Sequence, residues 1–483
     1  MMTTKRPLVV DLDGTLVKSD MIYETVNQLI CSKPWRVFEI FWNLVKGKTA
    51  FKKFLAEKAE IDVTSLPYNP HLMSWLVEQK KRGRYIVLAT ATHRILADKI
   101  AEYTKLFDEV LASAAGVNLK SGQKRDALIR KFGKHGFDYV GNEQADVPVW
   151  EAANVVHIVS SNKTFIRRVE LLTQKTANTF PSVEVGVLSC LFKALRVHQW
   201  MKNLLVFIPL VLAYPLIPDG SAEGTALLAF ILFGITASSV YILNDLSDLS
   251  NDRLHRSKKN RMFASGNLSI GLGWVLWPAL LILSFAVSSF FMNMKFIYVM
   301  LGYLLLTVMY SFRLKQIAML DVLTLAMLYT ARIVAGAVAL NLPISFWLLG
   351  FSIFIFLSLA FMKRFSELQI ARANLLNESI RGRGYVHQDL EIVSSMGVTS
   401  GYISVLVLGL YIYNPIASEY YMTPELIWMV CPILIYWISR VWLITHRGGM
   451  HDDPVFFAIK DRRSWMVGAL IFSVFLLAKN IRI

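Results

Sequence analysis

The sequence contains few cysteines, and none at the spacing of a metal-binding motif. Its three cysteines, Cys31, Cys190 and Cys431, are far apart along the chain. This pattern predicts neither a disulfide framework nor a zinc site. The first residues also lack the apolar segment of a secretory signal, because a short apolar strand follows Pro7 almost at once.

Charged residues are scarce, and most of the remaining composition is apolar. Of 483 residues only 18% are charged while 54% are hydrophobic, which is too apolar for a soluble protein of this length. The first 190 or so residues nevertheless have an ordinary soluble composition, so two modules are predicted. The net charge is +16. Much of it lies in short loops between apolar runs, which indicates membrane topology and not a nucleic-acid partner.

An acidic stretch follows one of the apolar runs and precedes a strongly basic loop. On a helix Asp245, Asp248 and Asp252 are spaced i, i+3 and i+7, so their carboxylates share one face. Like charges stacked at the end of a membrane helix need a cation between them, and Mg²⁺ carrying a phosphorylated substrate suits oxygen ligands. The basic residues that follow would hold phosphate oxygens. The alternative is a solvated acidic helix end beside a basic loop.

The soluble module places polar residues at the ends of predicted strands. The strand 8–10 ends at Asp11 and Asp13, a strand over 85–89 ends at Thr90, and a strand over 137–140 precedes Asn142 and Asp146. Residues 122–124 open a helix. Strand ends that supply polar groups to one crevice are typical of a doubly wound α/β fold. Paired carboxylates there suit phosphoryl transfer, one as nucleophile and one as general acid and base.

The second module contains nine apolar segments, which predict an all-α bundle of nine transmembrane helices. Alternating loops carry 17 Lys or Arg on one side and 1 on the other. By the positive-inside rule the basic loops are cytoplasmic, as is the soluble module, and the C-terminus lies outside. Basic loops also favour an anionic lipid headgroup. The segments are 203–218, 225–243, 271–291, 296–310, 317–339, 345–361, 394–413, 425–443 and 464–479.

Further polar groups fall on the predicted cytoplasmic side. Asp321 lies inside an apolar segment and is a functional candidate by default, whereas Arg332 could equally be a structural counter-charge. For residues 196–203, which precede the first predicted span, the alternative is a belt of basic and aromatic side chains at the membrane surface. For Lys363, Arg364 and the loop 451–461, the alternative is a structural role. The candidates for substrate binding are Arg196, Gln199, Lys202, Asn244, Lys258, Arg261, Tyr310, Lys315, Asp321, Arg332, Lys363 and Arg364.

The soluble module resembles the haloacid dehalogenase superfamily of phosphatases, whose four motifs occur here in family order. The resemblance implies that Asp11 is the nucleophile and Asp13 the general acid and base. Thr90 would bind the phosphoryl group and Lys124 would neutralise it, with Lys120 as a rival. Mg²⁺ would be held by Asp11, Asp13, Asn142 and Asp146, although Asn142 stands where the family usually has Asp. Residues 21–67 would form a helical cap, and its aromatic stretch 35–45 either packs inside the cap or rests on the membrane.

The second module resembles the UbiA-type intramembrane prenyltransferase superfamily, through the Asn244 to Asp252 motif and a second motif at 310–321. Two departures are Leu325, where a second aspartate is usual, and Arg256 and Met262 in place of flanking prolines. The residues 196–203, 363–364 and 453–455 look most like the decaprenyl-phosphate phosphoribosyltransferase branch. The resemblance implies Mg²⁺ on Asp245, Asp248 and Asp252, phosphate contacts from Lys258, Arg261 and Lys315, and Asn244 orienting a hydroxyl or carboxylate.

The two resemblances together predict a bifunctional enzyme of the plasma (inner) membrane. Its partners would be phosphoribosyl pyrophosphate and a polyprenyl phosphate, and a homo-oligomer is left open. The expected domains are 1–157 (phosphatase), 158–192 (linker or amphipathic lead-in) and 193–483 (transferase). One alternative is a prenyltransferase acting on an aromatic acceptor. The other is a membrane scaffold with a degenerate, phosphate-sensing domain.

Overall fold

The structure is a computed structural model that falls into two compact units. Unit 1 comprises Met1–Arg196 and Tyr241–Ala279, and unit 2 comprises Val197–Val240 and Leu280–Ile483. The residues that the structure describes are 6–114, 119–174, 176–182, 186–213, 221–255, 258–373, 384–412, 421–450 and 453–481.

Unit 1 is built on a six-stranded sheet in the order β3-β2-β1-β4-β5-β6, in which every pair of neighbours is parallel. This is the doubly wound order: strands β2 and β3 extend the sheet on one side of β1, and β4 to β6 extend it on the other, so the strand order reverses between β1 and β4. The predicted α/β fold is therefore confirmed. The strands are β1 Leu8–Val10, β2 Ile86–His93, β3 Glu109–Ser113, β4 Asp138–Gly141, β5 Val156–Val159 and β6 Thr176–Phe180.

The central strand β1 is apolar throughout because both faces of the sheet are covered. Leu8 and Val10 belong to the core on one face, and Val9 belongs to the core on the other, where it lies with Trp150. Successive residues of a strand point to opposite faces, so a run without polar residues fits only a strand buried on both sides.

Helices flank the sheet and form the cap. Short 3₁₀ helices occupy Pro34–Arg36, Val63–Ser65, Gln144–Asp146 and Lys258–Asn260. The α-helices of unit 1 are α1 Met21–Ser32, α2 Val37–Val45, α3 Lys48–Lys58, α4 Pro70–Lys81, α5 Arg94–Thr104, α6 Gly122–Phe132, α7 Val147–Ala152, α8 Lys163–Thr173 and α9 Val187–Ala194, with α12 Leu249–Leu254 from the second stretch.

The sheet continues beyond the expected end of the first domain. Residues 158–180, which the sequence predicts as linker, complete β5 and form α8 and β6. The reason is that β6 is an edge strand, in which only Phe180 is buried. An exposed, largely polar strand lacks the apolar pattern that sequence reasoning depends on.

His157 on β5 is buried without a hydrogen-bond partner for either ring nitrogen in the described part of the chain. Its ring lies 4.8 Å from that of Trp75. Burial and the positive charge of Arg84 lower the pKa of His157 to about 4. The negative charge of Asp138 opposes this shift but does not cancel it. A histidine in an unfolded chain titrates near 6.5, so only the unfolded chain takes up a proton between these values.

We therefore expect the free energy of unfolding of this unit to fall by about 3 kcal/mol as the pH decreases from about 6.5, the pKa of histidine in the unfolded chain, to about 4, the pKa of His157 in the folded chain. The His157→Phe variant removes the titrating group and should flatten this dependence. Thermal unfolding of the purified full-length chain near neutral pH and near the folded pKa measures it. Equal acid destabilisation in both proteins would contradict the assignment.

Unit 2 is helical, and seven helices of the described residues are long and apolar enough to cross a membrane. The helices are α10 Ile208–Ala213, α11 Ser221–Ser247, α13 Ile270–Phe291, α14 Met294–Phe312, α15 Leu320–Ala339, α16 Phe346–Ala373, α17 Leu390–Ile412, α18 Val430–His446, α19 Pro454–Lys460 and α20 Arg462–Asn480, with 3₁₀ turns at Val197–Phe207, Leu314–Gln316, His387–Asp389 and Pro424–Met429. The seven apolar helices are α11, α13, α14, α15, α16, α17 and α18. Of these, α11 and α13 have residues in both units.

The predicted bundle of nine spans differs from this result at its two ends. The first predicted span is a 3₁₀ segment, Val197–Phe207, followed by the short α10, and residues 214–218 lie outside the described chain. The last predicted span forms α20, but Arg462, Arg463 and Lys479 at its ends reduce the apolar length. A charged end shortens the part of a helix that lipid can surround.

The middle of unit 2 is α15, which packs between α14 and α16 and is largely buried. Its Gly336 faces the backbone of the 3₁₀ segment, where an added Cβ would lie 2.0 Å from the carbonyl oxygen of Val206. Small residues permit such close backbone approach between membrane helices. The contact holds the 3₁₀ segment, which carries Lys202 and Asn203, against α15.

Candidate active site

Three predicted residues of the first module, Asp11, Lys124 and Asp146, come together at the carboxyl ends of β1 and β4. Lys124 Nζ lies 2.7 Å from Asp11 Oδ1 and 3.8 Å from Asp146 Oδ1. Tyr139 links the group, since its hydroxyl accepts from Lys124 at 3.0 Å and donates to Asp146 at 2.7 Å. Lys120 is exposed. The structure thus places Lys124, and not its rival, beside Asp11.

Asp13 is held by three donors. Its Oδ1 accepts from the backbone N–H of Met21 at 2.8 Å, and its Oδ2 accepts from Thr92 at 2.6 Å and from Thr90 at 3.4 Å. Sequence reasoning identified Thr90 but missed Thr92 and Tyr139. The signal for Thr92 was available, because it follows Thr90 by two residues on the same strand and its side chain therefore lies on the same face.

Asn142 contacts the turn that follows Asp13. Its Oδ1 accepts from Thr15 at 3.0 Å. Gly14 has a φ of 72°, and a Cβ there would lie 2.2 Å from Asn142 Nδ2, so the turn needs glycine on both counts. The Asn142 backbone N–H donates to Asp146 at 2.9 Å. The side-chain oxygen of Asn142 is therefore already hydrogen-bonded to the turn.

Three acids and one lysine give this site a strong negative bias. Burial, together with the charges of Asp146 and Asp13, raises the pKa of Asp11 to about 7, although Lys124 opposes the shift. Burial lowers the pKa of Lys124, but Asp11 and Asp146 raise it more, so the ammonium stays charged. A site with excess carboxylate is one that attracts a cation.

The acidic motif of unit 1 lies at the end of α11 and on α12. The chain leaves α11 at Ser247 and Asp248 caps α12, so the three aspartates do not share one uninterrupted helix. Asp245 and Asp252 still face one cation: Arg261 Nη1 lies 3.1 Å from Asp245 Oδ1 and 2.6 Å from Asp252 Oδ2. The cation that separates these stacked acids is therefore an arginine in this structure.

Arg196 supplies a second cation to the same motif. It forms an ion pair with Asp245, and its guanidinium lies 5.3 Å from the ring of Tyr241. Its backbone has a φ of 50°, a left-handed conformation that non-glycine residues seldom adopt. Strain of this kind persists where surrounding contacts fix a residue. Lys258 is exposed beyond α12, and Arg256 lies outside the described residues.

Both acidic sites, the one around Asp11 and the one around Asp245, contain the oxygen ligands that suit Mg²⁺. In neither site does the described part of the chain place these ligands to hold a metal ion. Within the described ranges no group of three or more His, Cys, Asp or Glu side chains is placed to hold a metal ion. All the donors are carboxylate or amide oxygens, which Mg²⁺ prefers. Asn244 Oδ1 is buried beside Asp245 and has no hydrogen-bond partner among the residues that the structure describes, which leaves one oxygen for a ligand.

Helix α1 connects the site around Asp11 and Asp13 to the acidic motif within unit 1. Its first N–H contacts Asp13, and further along Asn27 donates to the carbonyl of Leu246 at 2.9 Å and accepts from Trp274 at 3.0 Å. Glu24 and Arg253 form a two-pronged, buried ion pair with distances of 2.6 and 3.1 Å. These interface residues were not predicted, because sequence gives no signal for a pair 229 positions apart.

We expect the Arg253→Leu variant to lose about 3–5 kcal/mol of unfolding free energy, because Glu24 would stay buried without its partner. Leucine in place of both residues should recover most of this loss, since the double variant buries no unpaired charge. Hydrogen exchange of α1 in the full-length protein is the measurement. Equal destabilisation of the single and double variants would show that the ion pair does not account for the effect.

In unit 2, Asp321 and Arg364 form a wholly buried ion pair. Tyr310 donates to Asp321 at 2.8 Å, and Arg364 also pairs with Glu367. A carboxylate enclosed by an arginine and a tyrosine does not fit a metal ligand. Leu325 likewise removes the second acid of this motif. Lys315 lies half-buried on the adjoining 3₁₀ turn.

Asp453 is the centre of a second cluster in unit 2. Lys202 Nζ lies 2.8 Å and Lys363 Nζ 3.2 Å from its Oδ2, and Tyr329 donates to it at 3.1 Å. The two lysines hold the pKa of Asp453 well below its usual range, although burial opposes them. Gln199 is half-buried on the same 3₁₀ segment as Lys202, and His451 and Asp452 lie outside the described residues.

Arg332 lies inside α15, where several neutral groups contact it. It donates to Asn203 at 2.8 Å, to Tyr303 at 3.1 Å and to the carbonyl of Leu328. The rings of Phe233, Tyr303 and Tyr329 lie 5.1–5.9 Å from its guanidinium. These dipoles and rings stabilise the buried guanidinium, which adds positive charge to this region.

These folds and charged groups define an integral membrane protein with an attached doubly wound α/β unit. A family model described as the UbiA prenyltransferase family matches residues 204–467, and the chain belongs to this family. An uncharacterized protein of Sinorhizobium fredii, y4nM, is 35% identical over 98% of this chain and 91% of its own. A decaprenyl-phosphate phosphoribosyltransferase of Mycolicibacterium smegmatis is 30% identical over 57% of this chain and 88% of its own.

Solved structures resemble the two halves separately. A UbiA homolog from Archaeoglobus fulgidus bound to GPP and Mg²⁺ is 18% identical, covers 60% of this chain and 100% of its own, and gives a TM-score of 0.45. A phospho-aspartyl intermediate analogue of phosphoserine phosphatase is 19% identical, covers 37% of this chain and 94% of its own, and gives a TM-score of 0.26.

Proposed function

We propose that this chain transfers a 5-phosphoribosyl group from phosphoribosyl pyrophosphate to a polyprenyl phosphate, and that its first domain then removes the 5-phosphate. The relatives named as decaprenyl-phosphate phosphoribosyltransferases support the first reaction. The Asp11, Asp13 and Lys124 group supports the second. The product would be a polyprenyl-phosphoryl ribose, a precursor for arabinose donors of cell-wall arabinan.

The cluster around Asp453 is the observation that favours a phosphoribosyl donor. Two lysines face one carboxylate there, and Arg332 adds a further positive charge that acts on Lys202. Phosphoribosyl pyrophosphate carries a phosphate as well as a pyrophosphate, so it needs two anion sites. An isoprenyl diphosphate needs one. Lys202 and Lys363, which both belong to unit 2, would bind the phosphate.

The transfer step needs no base from the protein. An oxygen of the lipid phosphate, already anionic at neutral pH, forms the bond to ribose C1, and the bond from C1 to pyrophosphate breaks with its electron pair. Arg196 and Arg261 would stabilise the leaving charge, and Asn244 would orient a ribose hydroxyl. Mg²⁺, held by Asp245, Asp248 and Asp252, would supply further charge neutralisation when bound.

The second step would use the aspartates of unit 1. Asp11 attacks phosphorus, and the bond to the ribose 5-oxygen breaks while Asp13 gives that oxygen a proton. Water, activated by Asp13, then hydrolyses the aspartyl phosphate to free phosphate. Thr92 and Thr90 hold Asp13 in place, and Lys124 neutralises the phosphoryl oxygens. Joining the sites in one chain gives an effective concentration of roughly millimolar when the linkage permits.

The reaction is proposed at the cytoplasmic face of the plasma membrane. The Lys and Arg count of the alternating loops, 17 against 1, supports this orientation for both the acidic motif and the phosphatase-like domain. Phosphoribosyl pyrophosphate is a water-soluble metabolite and would enter from that side. The C-terminus would lie outside.

The deciding experiment gives the purified chain labelled phosphoribosyl pyrophosphate, a polyprenyl phosphate and Mg²⁺, and follows the label into the lipid phase. Transfer of label supports the proposal, and a second lipid product with less charge supports the phosphatase. Absence of transfer, with turnover of an isoprenyl diphosphate and an aromatic acid instead, would replace it by an aromatic prenyltransferase. Inactivity toward both donors would favour a membrane scaffold.

We expect the Lys202→Gln variant to raise the KM for phosphoribosyl pyrophosphate by about 10–100-fold, because a charge-assisted hydrogen bond to a phosphate contributes about 1.5–3 kcal/mol. Steady-state transfer kinetics measure the effect. Lys295→Gln removes an exposed lysine of the same unit and is the control. An unchanged KM for Lys202→Gln would exclude this lysine from the donor site.

A further inference from the structure

Helix α2 of the cap carries a row of aromatic side chains on its outside. Phe38 is 79% exposed, Phe41 67% and Trp42 64%, and Trp35 and Val45 are similarly exposed. Within α2 only Ile40 is buried. Of the two predicted roles for this stretch, packing inside the cap is therefore excluded for most of its side chains.

The exposed side chains form one continuous surface. Phe38, Phe41, Trp42 and Val45 are spaced i, i+3, i+4 and i+7, and Trp35 lies one turn earlier, so they share a face. We call these five residues the aromatic stripe. Their exposed apolar area is roughly 500 Å² or more, at the upper end of what a soluble monomer leaves uncovered. Opposite the stripe, Ile40 packs with Leu29, Phe51 and Leu55 and fixes the helix to the cap.

Basic residues border the stripe. Lys33 and Lys46 are exposed at its two ends, and Arg36 lies beside its first turn. Lys46 Nζ lies 5.7 Å from the ring of Trp42. Against these three cations stands Glu39. An amphipathic helix with aromatics on one face and cations at its edge is the pattern that lies in the plane of an anionic bilayer surface.

The stripe begins close to the end of a membrane-spanning helix in the same unit. Cys31 Sγ on α1 lies 3.8 Å from the carbonyl oxygen of Leu246, in the last turn of α11. Tyr23 packs on Gly271 at the start of α13, where an added Cβ would lie 2.7 Å from the ring. Trp35 follows Cys31 by four positions, so its Cα lies at most about 14 Å from the Cα of Cys31.

We propose that the aromatic stripe inserts into the headgroup region of the leaflet from which α11 emerges, with Lys33, Arg36 and Lys46 on anionic lipid phosphates. The occupant of this surface is the phospholipid bilayer. This placement would keep the Asp13 end of α1 at the membrane surface, where a lipid-linked phosphate is presented. The proposal concerns binding of the cap to lipid and holds whichever reaction the chain performs.

The test uses the full-length chain with Cys31 replaced by Ser and one new cysteine labelled with an environment-sensitive fluorophore. Phe38→Cys reports on the stripe, and Asp126→Cys at an exposed position of α6 is the control. The proteins are placed in vesicles with and without about 30% anionic lipid, and are titrated with brominated lipid and with iodide. We expect brominated lipid to quench the label at position 38 several-fold more than that at 126, and more so with anionic lipid.

A label at position 38 that iodide quenches as strongly as the label at 126 would overturn the proposal, because the stripe would lie in water. A label protected from both quenchers would also overturn it, because a protein surface, such as a second copy, would then cover the stripe. Changing Phe41, Trp42 and Val45 together to Gln keeps Ile40 and the cap core, and should abolish lipid quenching at position 38.

Discussion

Replacing Asp11 by Asn is expected to stop dephosphorylation while phosphoribosyl transfer continues, so that the lipid product retaining the 5-phosphate accumulates. The amide has nearly the same shape but cannot form an aspartyl phosphate, and we expect the second step to slow by at least about a thousandfold. Separation of the two lipid products by charge measures both steps in one reaction.

The buried position of Asp11 makes this variant informative. Lys124 would keep Asp146 as a neighbour at 3.8 Å, so one acid still faces the ammonium. Asp126→Asn, at an exposed position of α6, is the control for a neutralised aspartate in the same domain. Formation of the less charged product at an unchanged rate by Asp11→Asn would show that this domain does not act on the transferase product.

Asp245→Asn should reduce transfer by about a hundredfold to a thousandfold, the range seen when one electrostatic contributor is removed from an active site. Asp245 is buried and pairs with both Arg196 and Arg261. Losing it removes a proposed Mg²⁺ ligand and lets both arginines shift. Transfer assays over a range of Mg²⁺ concentrations are the measurement, and we expect saturation to require more Mg²⁺.

The alternative role of Asp245 is to neutralise the two arginines only. In that case Asp245→Asn would lower the thermal stability and leave the Mg²⁺ dependence of transfer unchanged. Glu223→Gln, at the exposed opposite end of α11, controls for an acid lost from the same helix. Dephosphorylation of the isolated intermediate should persist in both variants, which separates this result from a general loss of folding.

Prediction from the sequence succeeded where local pattern and local chemistry coincide. The apolar run of β1, buried on both faces, and the polar residues directly after it located the crevice of the sheet. Lys124 was predicted because it opens a helix at the family spacing, and the ion pair with Asp11 then distinguishes it from Lys120. The strand β6 escaped prediction because an edge strand needs few apolar residues.

The acidic motif shows the limit of such reasoning. Its spacing correctly implied that the stacked aspartates require a cation, but the structure meets that need with Arg196 and Arg261. Roles for these side chains in Mg²⁺ or pyrophosphate binding therefore remain proposals. The spacing along a helix predicts which charged side chains are neighbours. It does not predict which residue from a distant part of the chain will contact them in the folded protein.

The sequence by itself determined the two modules, the doubly wound sheet, the apolar helices and the motif residues, because each follows from periodicity or from chemistry within a few positions. Only the tertiary structure decided the partners: Glu24 with Arg253, Asp453 with Lys202 and Lys363, and the outward face of the aromatic stripe. The physical reason is that ion pairs between remote residues, and the exposure of a helix face, depend on how the whole chain packs, which no local pattern encodes.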